Sequence, residues 1–295
     1  MNTNKTRSLL LCLAVYLAAL LIAFLCVRVM RDGHLLYAAL IADVAATVAV
    51  FTCSMLLDNS SLYDPYWSVA PPLIAVYWLT ARGNTDAVST RSLITGALLL
   101  LWAFRLTYNW SRQWRGLGHE DWRYRAFRER FTSLYWPVSF LGIHLLPTLI
   151  VFLGCLPLYS VMAPGASAVR PLGLLDLAAA AVTITAILIE ALADRQLHAF
   201  KRKSGESGRI LNSGLWARCR HPNYLGEMLF WWGLFLFGLA ADPAHWWFIL
   251  GPLAVSTLFL GISVPMMDRH LMQRKSGYAE HVEQVPALIP RLFRR

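Results

Sequence analysis

Residues 218–227 read RCRHPNYLGE and place Arg218, Arg220, His221, Asn223, Tyr224 and Glu227 where a basic loop enters an apolar run. Polar groups at such a boundary need partners or an aqueous cavity. The junction therefore reads as the cofactor site of a membrane enzyme. Arg220 offers a rigid fork of donors and His221 a group that is neutral or charged, a pair suited to phosphate. Pro222 can open a helix, leaving Asn223 and the first backbone N–H groups turned toward a ligand. Helix capping alone explains Pro222, but not Glu227, four residues beyond Asn223 and followed by MLFWWGLFLFGLA.

Two further polar stripes have the same spacing. Glu190 and Asp194 lie four apart near the end of an apolar helix, with Lys201 seven further on. Asp194 and Arg195 could form an ordinary helix-end pair, whereas Glu190 stands among Ile187, Leu188, Ile189 and Leu192 and requires a partner. Arg105, Asn109 and Arg112 repeat the geometry at spacings of four and three. Arg105 could snorkel, but a cavity-facing stripe accounts for all three positions. Three stripes on three apolar segments predict one shared cavity. A fourth polar region is LDNSSLYDPYWS, residues 57–68, where Asp58 or Asn59 can form a turn and Asp64-Pro65 can start a helix. Tyr63, Asp64, Tyr66 and Trp67 stand at the mouth of the next apolar segment. A carboxyl in poor solvent has its pKa raised and remains a hydrogen-bond donor at neutral pH.

The elements that position these residues are apolar runs over approximately 7–29, 35–57, 69–80, 93–110, 135–159, 172–192, 224–240 and 246–264. Several are apolar all round and long enough for a hydrocarbon layer of ~30 Å, which takes about 20 helical residues. The expectation is an all-α polytopic membrane bundle of seven to eight spans, forming a single membrane domain over residues 1–295; the third and seventh runs are short. Lys5 and Arg7 precede a long first run without a small-residue cleavage pattern, so it reads as a retained helix. Basic clusters at 112–130, 195–220 and 269–295 alternate with nearly uncharged connections such as Met162–Pro171 and Ala241–His245. The positive-inside tendency puts the basic loops and the C-terminus in the cytoplasm, in a bacterial inner membrane. Eight spans would place the N-terminus there too, and seven would place it outside. The stretch WSRQWRGLGHEDWRYRAFRERF should lie along that interface as an amphipathic segment.

The net charge of +10 is spread over membrane boundaries, not along a groove, which argues against nucleic acid. Five cysteines show neither pairing nor metal spacing and read as small apolar residues. No glycine-rich dinucleotide turn, phosphate loop, zinc-binding His-Glu helix or serine elbow occurs. Ser204-Gly205-Glu206-Ser207-Gly208-Arg209 reads as a mobile cover over a bound polar group, or simply as a flexible loop.

From SLYDPYWS through FRLTYNWSRQWRG, ALADRQLHAFK, GRILNSGLWARCRHPNYLGEMLFWWG and VPMMDRHLMQRKSGYAEH, the chain resembles the membrane steroid 5-alpha-reductase-like family. The likeness is to its bacterial branch, formerly a domain of unknown function. Isoprenylcysteine carboxyl methyltransferases, more distantly related, share an Arg-His-Pro-x-Tyr-x-x-Glu signature. The resemblance implies an NADPH-dependent reductase of the carbon-carbon double bond of a hydrophobic enone, most simply a 3-oxo-Δ4-steroid. Residues 1–110 would supply the substrate pocket and 111–295 the cofactor half. It implies catalytic roles for Asp64, Tyr63 and Tyr66. For the cofactor it implies roles for Asp194, Arg209, Asn223, Glu227 and Tyr278; with the polar stripes and the 218–227 junction the expected shell comprises these together with Arg105, Asn109, Arg112, Glu190, Lys201, Arg220, His221, Tyr224 and Asp268, with no metal. Asp64 replaces the family's glutamate, Tyr63 its glutamine neighbour, and Trp102 its carbonyl-facing tyrosine. Carbonyl activation would then fall to Asp64 or a nearby tyrosine. The other readings are an S-adenosylmethionine-dependent membrane methyltransferase, resting on RHPNYLGE, and a non-catalytic sterol- or lipid-binding protein. A steroid-like small molecule and membrane lipid are the expected partners, with no obligate protein partner.

Overall fold

A computed structural model describes residues 3–81, 88–163, 170–204 and 208–289; among these every element is helical. Residues 205–207 of the glycine-containing loop and most of the Met162–Pro171 connection lie outside the described residues. The chain forms two compact units, Met1–Val169 and Arg170–Arg295.

In the first unit, α1 (Thr3–Val29) packs on α2 (Leu35–Leu56), and a 3-10 turn over Ser60–Tyr63 leads to α3 (Tyr66–Thr80). Then come α4 (Thr90–Gln113), α5 (Trp122–Phe131), the single turn α6 (Tyr135–Val138) and α7 (Leu146–Met162). The face of α2 that is buried carries Ala38, Ala42, Ala46, Val50 and Ser54 at four-residue intervals. Small side chains there let neighbouring helices approach, as packing inside a bilayer requires.

In the second unit, α8 (Leu174–Ser204) pairs along its length with α9 (Pro222–Ala241). They are followed by a 3-10 segment over Pro243–Ile249, α10 (Leu250–Leu258), α11 (Val264–Arg274) and α12 (Tyr278–Gln284).

Among the described residues six helical segments are long and apolar enough to cross a membrane: Asn4–Val29, Leu35–Leu56, Trp122–Met162, Leu174–Lys203, Pro222–Ala241 and Pro243–Arg274. The expected seven to eight is thus corrected to six, for two local reasons. Helix α3 has 15 residues and contains Pro71 and Pro72; at 1.5 Å per residue it reaches about 22 Å, short of the hydrocarbon thickness. Helix α4 has the length, 24 residues, but carries Arg91, Arg105 and Arg112. The seventh apolar run, expected to be short, gains Pro222 and Asn223 at its start and reaches 20 residues.

Both long spans containing a π-helical stretch have it directly before a proline. Ser139–Leu145 precedes Leu146-Pro147, and Phe259–Ser263 precedes Val264-Pro265. A proline inside a helix has no N–H to give and its ring crowds the carbonyl one turn back. Widening the coil relieves this: Leu146 N–H bonds to Leu141 O and Val264 N–H to Phe259 O, five residues back in each case.

The α8–α9 contact depends on two glycines spaced by seven. A Cβ at Gly226 would overlap the Glu190 side chain and come within 2.9 Å of the Ala186 carbonyl. One at Gly233 would overlap the Thr183 hydroxyl and lie 3.1 Å from the Thr183 backbone nitrogen. Gly226→Ala and Gly233→Ala should each destabilise the protein by about 1–3 kcal/mol by forcing the helices apart. Unfolding midpoints in a fixed detergent–lipid mixture measure this; a midpoint equal to wild type would show that the helices part freely there.

Candidate functional site

Two polar clusters, one in each unit, gather most of the residues singled out by sequence. The cluster in the second unit is built around the start of α9. His221 is the N-cap residue in a non-helical conformation and Pro222 opens the helix. The backbone N–H groups of Arg220 and His221, left without helical partners, donate to the carbonyls of Pro286 (2.9 Å) and Ala287 (3.0 Å). The Arg220 side chain donates to Asp268 at 2.8 and 3.3 Å through Nη2 and Nε, and through Nη1 to the carbonyls of Val282 (3.0 Å) and Val285. His221 Nε2 and the Tyr278 hydroxyl each lie 2.9 Å from Asp268 Oδ1. Asp268, 7% exposed, therefore accepts from three side chains.

Delivery of Tyr278 needs Gly277, whose φ of +77° is a backbone state that side chains disfavour. Burial, then the charge of Asp268, pushes the Tyr278 hydroxyl well above its ordinary pKa, so it stays a donor. Burial, followed by the charge of Arg220, lowers the pKa of His281 and favours the neutral ring. The His221 ring stacks on Tyr224 at 5.1 Å, and Tyr224 meets Phe259 of the second π-helical stretch at 5.0 Å. Arg220 and His221, expected to meet phosphate, are thus engaged by Asp268 and by carbonyls of the C-terminal segment.

Other expected cofactor residues in this unit occupy different settings. Glu227 is buried and accepts the indole N–H of Trp231 at 3.0 Å. Glu190 is buried on α8 against Gly226. The Asn223 side-chain oxygen is enclosed and has no hydrogen-bond partner. Asp194 is half-buried, and its carbonyl is 2.7 Å from His198 Nδ1. Lys201 and Arg209 are exposed, and the charge of Lys201, after burial, depresses the pKa of Lys275. The face predicted to join Glu190, Asp194 and Lys201 therefore passes from buried to solvent along its length.

In the first unit the 57–66 turn is clamped by the α4–α5 connection and α5. Asn59 Nδ2 donates to the carbonyls of Leu117 (2.7 Å) and His119 (3.3 Å), and its Oδ1 caps Ser61. Glu120 accepts from Ser60 N (2.8 Å), from the Tyr135 hydroxyl (3.2 Å) and from Arg128, which also reaches Asp58 at 2.7 Å. Asp64 points to the same side. It accepts the Tyr124 hydroxyl and lies 3.6 Å from Arg123, with 17% of its side chain exposed. Burial raises its pKa and Arg123 lowers it, while the carboxylates of Asp121 and Glu120 raise it; the balance stands at about 7 against an ordinary 3.8. Folding thus favours the protonated acid, and its contribution to stability is complete below the ordinary value and lost as pH rises through about 7. Asp121 behaves oppositely: burial would raise it, but Arg123 holds it below the ordinary carboxylate value.

Tyr63 and Tyr66 stack on each other at 5.1 Å and face away from that acid into the helices. Tyr66 donates to the Asp43 side chain at 2.7 Å and Tyr63 meets Thr148 at 2.8 Å. Thr148 gives its own hydrogen to the His144 carbonyl (2.9 Å), so Tyr63 and Thr47 both donate to it. Asp43, 5% exposed in the middle of α2, has an Oδ2 without a partner. Asp43 is absent from the residues singled out by sequence, although an aspartate inside a 22-residue apolar helix is signal enough to find it. Tyr124, Glu120 and Arg128 carried no such signal, because an interfacial Arg- and aromatic-rich stretch is common at any membrane boundary. On α4, Arg105 and Asn109 are half-buried, whereas Arg112 is exposed over the Tyr108 ring at 5.5 Å. Trp102 is fully buried. Among the described residues no cluster of metal-binding side chains occurs.

The fold and the clusters define a polytopic, all-helical integral membrane protein with ionisable residues partnered at its helix ends. The chain belongs to a family of proteins of unknown function, DUF1295, whose model matches residues 50–285. It is similar to an uncharacterized protein of Schizosaccharomyces pombe, 28% identical over 279 residues, covering 88% of this chain and 79% of that protein. No solved structure matches.

Removing one partner of a buried ion pair costs roughly 3–5 kcal/mol, whereas losing one hydrogen bond to a charged group costs about 1.5–3 kcal/mol. Arg220→Met should therefore destabilise the protein more than Tyr278→Phe. Hydrogen exchange over residues 282–289 should accelerate in both variants and most in the first. Equal protection in wild type and Arg220→Met would mean that the C-terminal segment is fastened elsewhere.

Proposed function

We propose that the protein is a membrane oxidoreductase that uses NADPH to saturate the carbon-carbon double bond of a hydrophobic enone, a 3-oxo-Δ4-steroid being the simplest substrate of that class. The observation that carries this reading is Asp64, an acid with a pKa of about 7 that is joined to the Tyr124 hydroxyl at the mouth of an apolar helix. A carbonyl oxygen gains negative charge when a hydride reaches the β-carbon of an enone. A donor already in place stabilises that charge more than the ground state, an effect worth roughly 3–4 kcal/mol.

NADPH, when bound, supplies the hydride. The fit of the second unit to a nicotinamide group rests on the Asn223 side-chain oxygen, an enclosed acceptor without a donor that suits the N–H of a carboxamide. Glu227, one turn on, and Glu190 of the adjoining helix add buried carboxyl groups to the same helix pair. Asp194, Lys201, Arg209 and Tyr224 complete the shell assigned to the nucleotide; Arg220, His221, Asp268 and Tyr278 shape it by fixing the head of α9. On this reading Asp64 polarises the carbonyl with Tyr124 as its hydrogen-bonded neighbour, and the proton at the α-carbon comes from solvent or a side chain. The methyltransferase reading shares RHPNYLGE but gives no use to an acid poised near neutrality at 64.

Purified protein incubated with equal concentrations of NADPH and S-adenosylmethionine should retain the nucleotide, as read by native mass spectrometry. Retention of S-adenosylmethionine alone would transfer the assignment to the methyltransferases. Asp64→Asn should lower turnover of an enone roughly 100- to 1,000-fold with little change in nucleotide affinity, and should abolish a decline in wild-type rate above about pH 7. Glu227→Gln should weaken nucleotide binding; an unchanged dissociation constant would remove Glu227 from the cofactor shell.

A further inference from the structure

A line of hydrogen-bonded side chains runs inward through the first unit from Glu120. Glu120 is the end nearest water: its side chain is 10% exposed, and it shares Arg128 with Asp58, whose side chain is 76% exposed. The Tyr135 hydroxyl donates to Glu120 Oε1 at 3.2 Å. Ser60 Oγ is 2.7 Å from that hydroxyl and 3.0 Å from Ser139 Oγ. His144 Nδ1 lies 3.0 Å from the Ser139 carbonyl and 3.5 Å from Ser139 Oγ, the longest link, and Nε2 lies 3.4 Å from Ser54 Oγ. Ser60, Ser139 and His144 are wholly buried and Tyr135 nearly so. The helix geometry brings them into line. Tyr135 and Ser139 are four apart, one α-helical turn, and Ser139 and His144 are five apart, one step of the π-helical stretch that follows α6. A coil of 3.6 residues per turn would swing residue 144 away from 139.

The ionised end fixes the sense of every bond. Glu120, bonded by Arg128 through both carboxylate oxygens, only accepts. Tyr135 therefore commits its hydrogen to Glu120, Ser60 gives its own to Tyr135, and Ser139 gives its own to Ser60. Nδ1 then faces two oxygens with no hydrogen to offer, the Ser139 carbonyl and hydroxyl. The imidazole hydrogen accordingly sits on Nδ1, shared between those oxygens, and Nε2 keeps the lone pair. Ser54, opposite Nε2, donates to the Val50 carbonyl at 2.9 Å. Phe51 and Tyr63 hold the ring in this setting, at centroid distances of 5.2 and 4.8 Å.

We propose that Tyr135, Ser60 and Ser139 form a proton relay between Glu120 at the membrane boundary and His144 inside the unit. A proton taken up at Nε2 releases the one on Nδ1 to Ser139 Oγ; each hydroxyl passes its hydrogen to the next, and Tyr135 protonates Glu120. One proton has then crossed. Every hydroxyl again holds one hydrogen, the imidazole is neutral and Glu120 has lost its charge. With Glu120 protonated and the hydroxyls turned, the same path runs inward. Ionisable side chains inside a membrane protein mark such proton paths, because hydrocarbon offers them no other partner. The outcome is a wholly buried histidine that gives and takes protons, which any reaction consuming or releasing a proton inside the membrane requires. The relay rests on these hydrogen bonds and not on the reductase reading, so either stands if the other fails.

The test is nitrogen-15 NMR of the histidine rings in purified full-length protein held in lipid–detergent micelles, with His144→Gln to assign the signal. Wild-type His144 should carry its hydrogen on Nδ1. A hydrogen on Nε2 instead overturns the relay, because Ser139 would then have to donate to Nδ1 and the line would break at Ser60. On transfer to deuterated water, the Nδ1 hydrogen should exchange roughly 100-fold or more slowly in Tyr135→Phe and in Ser139→Ala than in wild type. Ser139→Ala keeps the carbonyl that holds Nδ1. Thr47→Val removes a hydroxyl that meets Thr148, outside the line, and should leave the rate unchanged. Loosening of the fold acts in the opposite direction, since opening the unit to water speeds exchange. A rate equal to or above wild type in a Tyr135→Phe or Ser139→Ala protein that keeps the wild-type unfolding midpoint overturns the relay and leaves these hydroxyls a packing role only.

Discussion

An ionised side chain next to hydrocarbon is stable only when hydrogen-bonded charge of the opposite sign meets it, and the second unit is organised around one such group. Asp268 receives Arg220, His221 and Tyr278, residues separated from it by 48, 47 and 10 positions. Through Arg220 the same carboxylate is linked to the carbonyls of residues 282 and 285. The head of α9, the length of α11, the α12 turn and the C-terminal segment therefore share one electrostatic centre. The position of Asn223 and Glu227 follows from it, because both ride on the helix whose first turn that centre fixes.

The first unit solves the same problem with a different economy. Glu120 takes Arg128, Tyr135 and the Ser60 backbone N–H, and Arg128 in turn lies over the Tyr135 ring at 4.1 Å. That arrangement satisfies Glu120 fully and leaves Asp64, on the neighbouring turn, with one hydroxyl and one more distant guanidinium. The contrast leaves Glu120 as the anchor of the turn and Asp64 as the acid that burial pushes up to about 7. The Glu120 carboxylate itself adds, after burial and Asp121, to raising the pKa of Asp64. A single loop therefore both holds the 57–66 turn and tunes the acid within it.

Much of the architecture was legible because long apolar runs leave helices as the only lipid-compatible backbone. The prolines of α3 and the arginines of α4 were visible too, but their weight in the span count depends on lengths that composition does not set. The clusters were legible as residue types and illegible as partnerships. Ser60 with Tyr135, Tyr63 with Thr148 and Arg220 with Asp268 are joined across 75, 85 and 48 residues, distances over which helical periodicity says nothing. Periodicity did place Glu190 and Glu227 on buried faces. At Arg112 and Lys201 the stripes reach the exposed ends of their helices. Asp43 escaped the sequence reading although the rule that an intramembrane acid calls for explanation points to it, and only its partner Tyr66 was among the candidates.

The proline-linked π-helical stretches show how chain chemistry reaches the polar clusters without touching them. A π turn inserts one extra residue per turn and so rotates everything beyond it relative to an unbroken α-helix. In the Trp122–Met162 span, the stretch before Pro147 carries His144 and leads directly to Thr148, whose hydroxyl receives Tyr63 and Thr47. In the Pro243–Arg274 span, the stretch before Pro265 sets Phe259 against Tyr224 and leads to α11, which carries Asp268. With an unbroken coil, each of these hydrogen-bonding residues would face a different direction on its helix. A proline three to one residues ahead of the polar position, at 147 before Thr148 and at 265 before Asp268, is thus part of how the sequence aims the groups on which both clusters rest.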